Sequence, residues 1–209
     1  MKTIVLLIRH GETEWNMLGK FQGGIDIPLS NEGIRQAIML KERLKGDFDY
    51  VYSSPLKRAY ATAEMICEGT DKTINILEDI REISFGEWEG LTIKEISEKY
   101  PDVFKSWRTD KEEGRFCGGD MSTLNASIRA KNSIMEIVNK HKGKKIAIIA
   151  HGGIIKAGLI GIFEWDMSMY HKIALGNTCI NTVTFNDDLK PALIGLNDTN
   201  HLDCEVTHV

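Results

Sequence analysis

Thr3-Ile4-Val5-Leu6-Leu7-Ile8, followed at once by Arg9-His10-Gly11-Glu12-Thr13-Glu14-Trp15-Asn16, is the stretch whose reading decides the fold. A near-continuous apolar run rich in β-branched residues reads as a strand buried on both faces. It stops abruptly in two cationic or potentially cationic side chains and a glycine. Carboxyl ends of central strands in α/β sheets are where ligands bind, and glycine lets the backbone turn immediately. Arg9 and His10 are therefore expected on the stiff end of a core strand, where a nucleophile is held accurately.

The same pattern returns late in the chain. Ile146-Ala147-Ile148-Ile149-Ala150 is a second buried run, and it too ends in His151-Gly152-Gly153. A lone histidine is usually a satisfied core or surface group. Two at equivalent strand ends point instead to polar groups converging in one pocket.

Helical periodicity fills the interval. Ser30 caps a helix that begins near Glu32 and ends at Gly46, with Ile34, Ala37, Ile38, Leu40 and Leu44 as its apolar stripe; Gly33 weakens its first turn slightly. Phe48 to Tyr52 reads as a short strand. Ser54 as N-cap and Pro55 in the first turn start the next helix. Arg58 falls in that first turn, where a cation gains nothing from the helix dipole; a nearby anion accounts for it better. Thr73 to Leu77 is strand-like, and Asp79 to Gly90 is a loop rich in carboxylates. Helices follow around Ile93–Tyr100, Asp102–Trp107 and Met121–Lys142, the last with Leu124, Ile128, Ile134, Met135 and Val138 as its stripe. After the second histidine strand come a helix ending at Gly161, a strand from Cys179 to Phe185, and an edge strand carrying Pro191. Polar residues with His201 and His208 form a surface tail.

This order implies an α/β protein: three layers, α/β/α, with a mostly parallel central sheet and an inserted helical segment. Residues 1–209 are read as one domain. Residues 91–142 have too little core of their own to stand apart, and read as helical cover and the substrate-side wall. The polar stretch Asp110–Gly119 is a candidate mobile loop over a pocket, with Trp107, Phe116 and Met121 as candidate apolar contacts.

Composition narrows the function. Of 209 residues, 42% are hydrophobic and 27% charged, and the net charge is −4, so the basic footprint of a nucleic-acid binder is missing. No apolar run reaches the length of a membrane span, and the start lacks the pattern of a secretory signal. Cys67, Cys117, Cys179 and Cys204 show no metal-ligand spacing and read as free thiols in a reducing, cytoplasmic setting. Dinucleotide and nucleoside-triphosphate glycine motifs are absent.

The convergent set is then Arg9, His10, Arg58, His151 and one carboxylate from Glu82, Glu87 or Glu89. Two arginines grip a dianionic oxyanion through forked hydrogen bonds. One neutral histidine attacks, and the other, protonated, donates to an equatorial oxygen. A glutamate beside the ester gives its proton to the leaving oxygen. The arginines supply the charge that a metal would otherwise bring.

Leu7 to Asn16, Gln22-Gly23, Pro28-Leu29-Ser30, Ser53-Ser54-Pro55-Leu56-Lys57-Arg58-Ala59, Glu82 to Gly90 and Ala150-His151-Gly152, in this order, resemble the histidine phosphatase (phosphoglycerate mutase-like) superfamily. The resemblance covers nearly the whole chain. It implies that His10 takes the phosphoryl group as a phosphohistidine and that Glu82 is the general acid, later the base that activates water. Arg9, Arg58, His151 and Asn16 would surround the phosphate, and Thr13 and Gln22 would line the pocket. Glu87 and Glu89 would serve loop structure. The implied activity is that of a metal-independent phosphatase, a phosphoric monoester hydrolase, with no cofactor and a small phosphorylated metabolite as its partner. Binding to nucleic acid or membrane is not implied, and a homodimer is reasonable.

Short bacterial phosphatases are the similar group: broad-specificity phosphatases, the α-ribazole phosphatases of cobalamin biosynthesis, and metal-independent phosphoserine phosphatases. A 2,3-bisphosphoglycerate-dependent phosphoglycerate mutase is the alternative. Those mutases carry an arginine and a tyrosine just after the acid glutamate, where this chain has Ile83-Ser84, so a partner for a glycerate carboxylate is not expected here. A non-catalytic phosphate-binding protein is less consistent with a complete residue set.

Overall fold

The computed structural model describes residues 1–202; Cys204 and His208 lie outside them. Six strands form one sheet: β1 (Thr3–Arg9), β2 (Tyr50–Ser53), β3 (Ile74–Ile76), β4 (Lys145–Ala150), β5 (Ile180–Phe185) and β6 (Pro191–Asp198), in the order β3-β2-β4-β1-β5-β6. The first four in that order run parallel, β5 pairs antiparallel with β1, and β6 pairs antiparallel with β5. The sheet is thus mixed and mostly parallel.

β1 and β4 take the centre because no other strand of the sheet offers as unbroken an apolar run to bury. Each fully buried Val, Leu or Ile side chain is worth roughly 1.5–3 kcal/mol, several times the spread of strand propensities. Alternation divides them between two cores. Val5, Leu7, Ile146 and Ile148 join one, and Leu6, Ile8, Ala147 and Ile149 the other. Helices α2 (Asn31–Leu44) and α3 (Lys57–Cys67) cover the second core. The first is covered by α4 (Ile93–Lys99), α5 (Pro101–Thr109), α6 (Thr123–Lys140) and α7 (Gly152–Phe163). A four-residue helix, α1 (Glu14–Met17), follows β1.

Several local expectations shift. α3 starts at Lys57, after Ser54 and Pro55, with Leu56 at the N-cap; Ser54 Oγ accepts from Leu56 N–H and also lies 2.7 Å from His151 Nε2. Ile34, Ile38 and Ile128 face solvent, while small residues do the packing. Ala126, Ser127 and Ala130 let α6 lie close on α7, which runs through Gly161 to Phe163; a Cβ at Gly161 would sit 3.0 Å from the Ser127 carbonyl oxygen. Gly33 does more than weaken a turn: a Cβ there would lie within 2.0 Å of the Glu12 carbonyl oxygen, so the turn after β1 packs backbone-to-backbone on α2.

Segment 110–119 is tied down. Asp110 accepts from the N–H groups of Glu112, Glu113 and Gly114, and Met167 N–H donates to the Lys111 carbonyl. Trp107 and Phe116 are core residues and Met121 is exposed. Pro191 opens the edge strand β6, where its missing N–H costs no ladder bond. His201 is half-buried, with Nε2 3.0 Å from Thr178 Oγ1, and so is no free tail residue. Cys67 and Cys179 are buried free thiols, and Cys117 is half-buried.

Candidate active site

β1 and β4 are parallel neighbours with Arg9 opposite Ala150. The next residue on each strand is a histidine, so register alone places His10 beside His151. Their ring centroids are 5.2 Å apart, and His10 N–H donates to the Ala150 carbonyl. Both rings are buried.

The two imidazoles are held differently. His10 Nδ1 donates to its neighbour's carbonyl, Gly11 O, at 2.6 Å, which puts the lone pair on Nε2. Among the described residues Nε2 has no partner. Burial, with the Arg58 and Arg9 cations behind it, pushes His10 well below its ordinary value of 6.5. His151 is engaged at both nitrogens: Arg58 Nε donates to Nδ1 at 3.1 Å, and Nε2 lies 2.7 Å from Ser54 Oγ. Burial, then Arg58 and His10, also push it well down. Burial and an Nδ1 that accepts from Arg58 favour the neutral ring, whereas the sequence reading has this histidine protonated.

Arg58 is fully buried at the start of α3, with Nη1 donating to Ile25 O and Nη2 to Gly23 O. It therefore clamps the 23–25 loop to the pocket. Arg9 Nη1 donates to Leu175 O at 2.5 Å, while its buried Nε has no partner among the described residues. Asn16 Oδ1 accepts from Thr13 N–H and Asn177 Nδ2, which leaves the Asn16 amide N–H₂ free. Gln22 Oε1 is buried and unpartnered.

Glu82 comes from the loop before the sequence Gly86-Glu87-Trp88. Its carboxylate sits at the N-terminus of α7, accepting from Ile154 N–H at 2.8 Å, Ile83 N–H at 2.9 Å and Gly153 N–H at 3.1 Å. A Cβ on Gly153 would stand 2.6 Å from Glu82 Oε1 and 2.8 Å from Tyr170 Oη, so only glycine admits this approach. Glu89 accepts from Gly24 and Phe85 N–H, and Glu87 from Tyr100, in keeping with loop roles.

These groups surround a cavity of about 240 Å³ lined by Arg9, His10, Asn16, Gln22, Arg58 and Glu82, with Lys20, Lys156 and Tyr170 beside them. Residues 173–175 complete one wall. Three expected groups do not line the cavity. Thr13 does not line the cavity; it is the buried N-cap of α1, bonded to Asn16. None of residues 91–142 lines it either, because their aromatic side chains are packed into the core. His151 is likewise absent from the wall and acts through Arg58 and Ser54.

Sequence reasoning misses Ser54, Lys156 and Tyr170 as site residues. Ser54 has the pattern of a helix cap. Lys156 lies in an apolar helix, where a lysine gives no signal, and Tyr170 lies in an irregular turn.

A buried pair of histidines, two arginines and a carboxylate in this geometry agree with the family match: residues 5–199 fit the histidine phosphatase superfamily (branch 1). The chain belongs to that superfamily. Phosphoserine phosphatase 1 of Hydrogenobacter thermophilus is 31% identical to this histidine phosphatase, over 95% of this chain and 93% of that one. Two crystal structures of an Entamoeba histolytica phosphoserine phosphatase, one of a histidine-to-alanine mutant with phosphoserine and one with 3-phosphoglyceric acid, superpose with TM-scores of 0.90 and 0.89 at 39% identity. They cover 96% and 95% of this chain, and 99% and 98% of theirs. The fold is that of the phosphoglycerate mutase-like proteins, and the chain is an enzyme that hydrolyses phosphate esters. No helix among the described residues is long and apolar enough to cross a membrane.

Proposed function

We propose that this chain is a metal-independent phosphomonoesterase that works through a phosphohistidine at His10. His10 Nε2 attacks phosphorus as the ester P–O bond breaks, and Glu82 gives the leaving oxygen its proton. Glu82 then takes a proton from water, whose oxygen attacks phosphorus; the N–P bond breaks and its electron pair returns to Nε2. Inorganic phosphate and the free alcohol are the products. Arg9, Arg58, Asn16 and Gln22 hold phosphoryl oxygens. His151 accepts from Arg58 Nε and so holds that guanidinium toward the phosphoryl group, where the transition state gathers charge.

The observation that carries this reading is the pairing of a free His10 Nε2 with a buried, unpartnered Arg9 Nε in one cavity. An orphaned buried donor is rare outside sites that wait for an acceptor. Small esters such as phosphoserine have the best support, from the relatives named above. α-Ribazole phosphate is the second candidate; its proposed Escherichia coli phosphatase is 24% identical, a likeness of fold alone. The mutase alternative lacks its arginine: Ile83 is buried in the core, and Ser84 N–H donates to Asp120. We read residues 1–209 as one histidine phosphatase domain acting in the cytoplasm, with a homodimer as the expected assembly.

The test is phosphate release without added metal from p-nitrophenyl phosphate, phosphoserine, α-ribazole phosphate and 3-phosphoglycerate, with His10→Ala alongside and the phosphoenzyme trapped at alkaline pH. Turnover and trapped label in wild type, both lost by on the order of 10⁴-fold in His10→Ala, are expected. Isomerisation of 3-phosphoglycerate only with a bisphosphate primer would make it a mutase.

A further inference from the structure

The cavity holds more cation than one phosphoryl group uses. Arg9 and Arg58 flank His10. Lys156 stands apart from them, one helical turn beyond Gly152 on the same face of α7, and it also lines the cavity. Its ammonium lies 3.9 Å from the centroid of the Tyr170 ring. Among the described residues no carboxylate pairs with it, and no acceptor takes any of its three donors. Among the described residues Glu82 is the one acidic residue lining the cavity, and its oxygens are committed to backbone N–H groups. An ammonium half out of water against an aromatic face alone is under-satisfied. Burial accordingly lowers its pKa to about 8.

The position is informative. Glu82 is bonded to Gly153 and Ile154 in the first turn of α7, and Tyr170 Oη closes on Gly153 while its ring faces Lys156. Glu82, Tyr170 and Lys156 therefore form one side of the cavity. On the reading of Glu82 as the acid, the leaving oxygen, and with it the alcohol, lies on that side.

Resting on that reading, we propose that Lys156 recognises a second anionic group on the alcohol half of the substrate. The preferred substrates are then phosphate monoesters whose alcohol carries a carboxylate or a second phosphate close to the ester oxygen. The Ile83 position, from which a carboxylate partner is missing, is replaced in this role by a cation from α7.

The experiment compares wild type, Lys156→Met and Lys156→Arg on 3-phosphoglycerate, ethylene glycol bisphosphate and p-nitrophenyl phosphate, whose alcohol bears no anion. In Lys156→Met the kcat/KM ratio of an anionic-alcohol substrate to p-nitrophenyl phosphate falls at least about tenfold, through KM, and Lys156→Arg restores most of it. The substrate that shows the loss distinguishes carboxylate from phosphate. An equal loss on all three substrates, or an unchanged ratio, overturns the proposal. Wild-type turnover of p-nitrophenyl phosphate alone also overturns it while leaving His10 as nucleophile. Turnover of none of the three takes the His10 reading down with it.

Discussion

The ends of β1 and β4 are the same device used twice, with opposite outcomes. Each parallel strand ends in a buried histidine followed by glycine. After β1 the imidazole bonds only to Gly11 O, and one ring nitrogen stays free. After β4 both nitrogens are engaged, by Arg58 and Ser54. The glycines differ as well. Gly11 and Gly33 admit a backbone contact between the β1 turn and α2, whereas Gly152 and Gly153 make room for the Arg9, Glu82 and Tyr170 side chains. One strand end is braced by the fold and presents a ring nitrogen without a partner among the described residues. The other is built from the site's own side chains and serves to hold charge in place.

The sharpest way to break this contrast is to truncate each imidazole in turn. His10→Ala should leave no phosphoenzyme. His151→Ala should still form one, with kcat reduced about 10²- to 10³-fold, the scale of losing one preorganised electrostatic group. Single-turnover quenching of the two variants measures both. Equal loss of phosphoenzyme would make the two histidines a single functional unit and erase the difference in their bonding.

A smaller effect tests the brace. Ser54→Ala removes the partner of His151 Nε2 and leaves a buried N–H unmatched, at about 1–3 kcal/mol. The loss should appear as roughly tenfold in kcat, with His10 phosphorylation retained. Steady-state kinetics with a thermal melt separates this from unfolding. Retention of full kcat would remove Ser54 from the site and return it to the role of a helix cap.

How much of this is legible in the sequence follows from what each feature leaves in a one-dimensional pattern. β1 and β4 are readable because a strand buried on both faces is an unbroken apolar run. His10, His151, Arg9 and Arg58 are readable because they interrupt such runs or sit where local structure gives them no reason to be, whereas pattern alone leaves Glu82 level with Glu87 and Glu89 and only the family resemblance singles it out. Thr13 and the 91–142 wall are misplaced because proximity in sequence to a site does not say which way a side chain faces: Thr13 turns back to cap α1, and Trp107 and Phe116 turn into the core. The outward Ile34, Ile38 and Ile128 show that size is a poor guide where helices approach through Gly and Ala. Lys156 leaves no mark because its meaning comes from Tyr170 and Glu82, which only the fold brings near it.

The smallest expected effect is the pH response near neutrality, and it follows from burial of the two rings. His10 lies well below 6.5 because its imidazolium would be desolvated beside Arg58 and Arg9, so the neutral, nucleophilic form persists as pH falls through 6. After allowance for the substrate's own ionisation near about 6, kcat/KM should change less than about twofold between pH 7 and 6. Stability moves earlier. Unfolding exposes both histidines to water, where they take up protons near their ordinary values, while the folded state keeps them neutral. Below about pH 6.5 the unfolded chain binds more protons, so this contribution is complete above that pH and is lost as pH falls toward the folded-state values. A melting temperature that declines below pH 6.5 while kcat/KM holds is the expected pair of curves. An acid limb in kcat/KM centred at 6.5 would mean that His10 is solvated like a free imidazole, and the difference between the two strand ends would then lie in their hydrogen bonds alone.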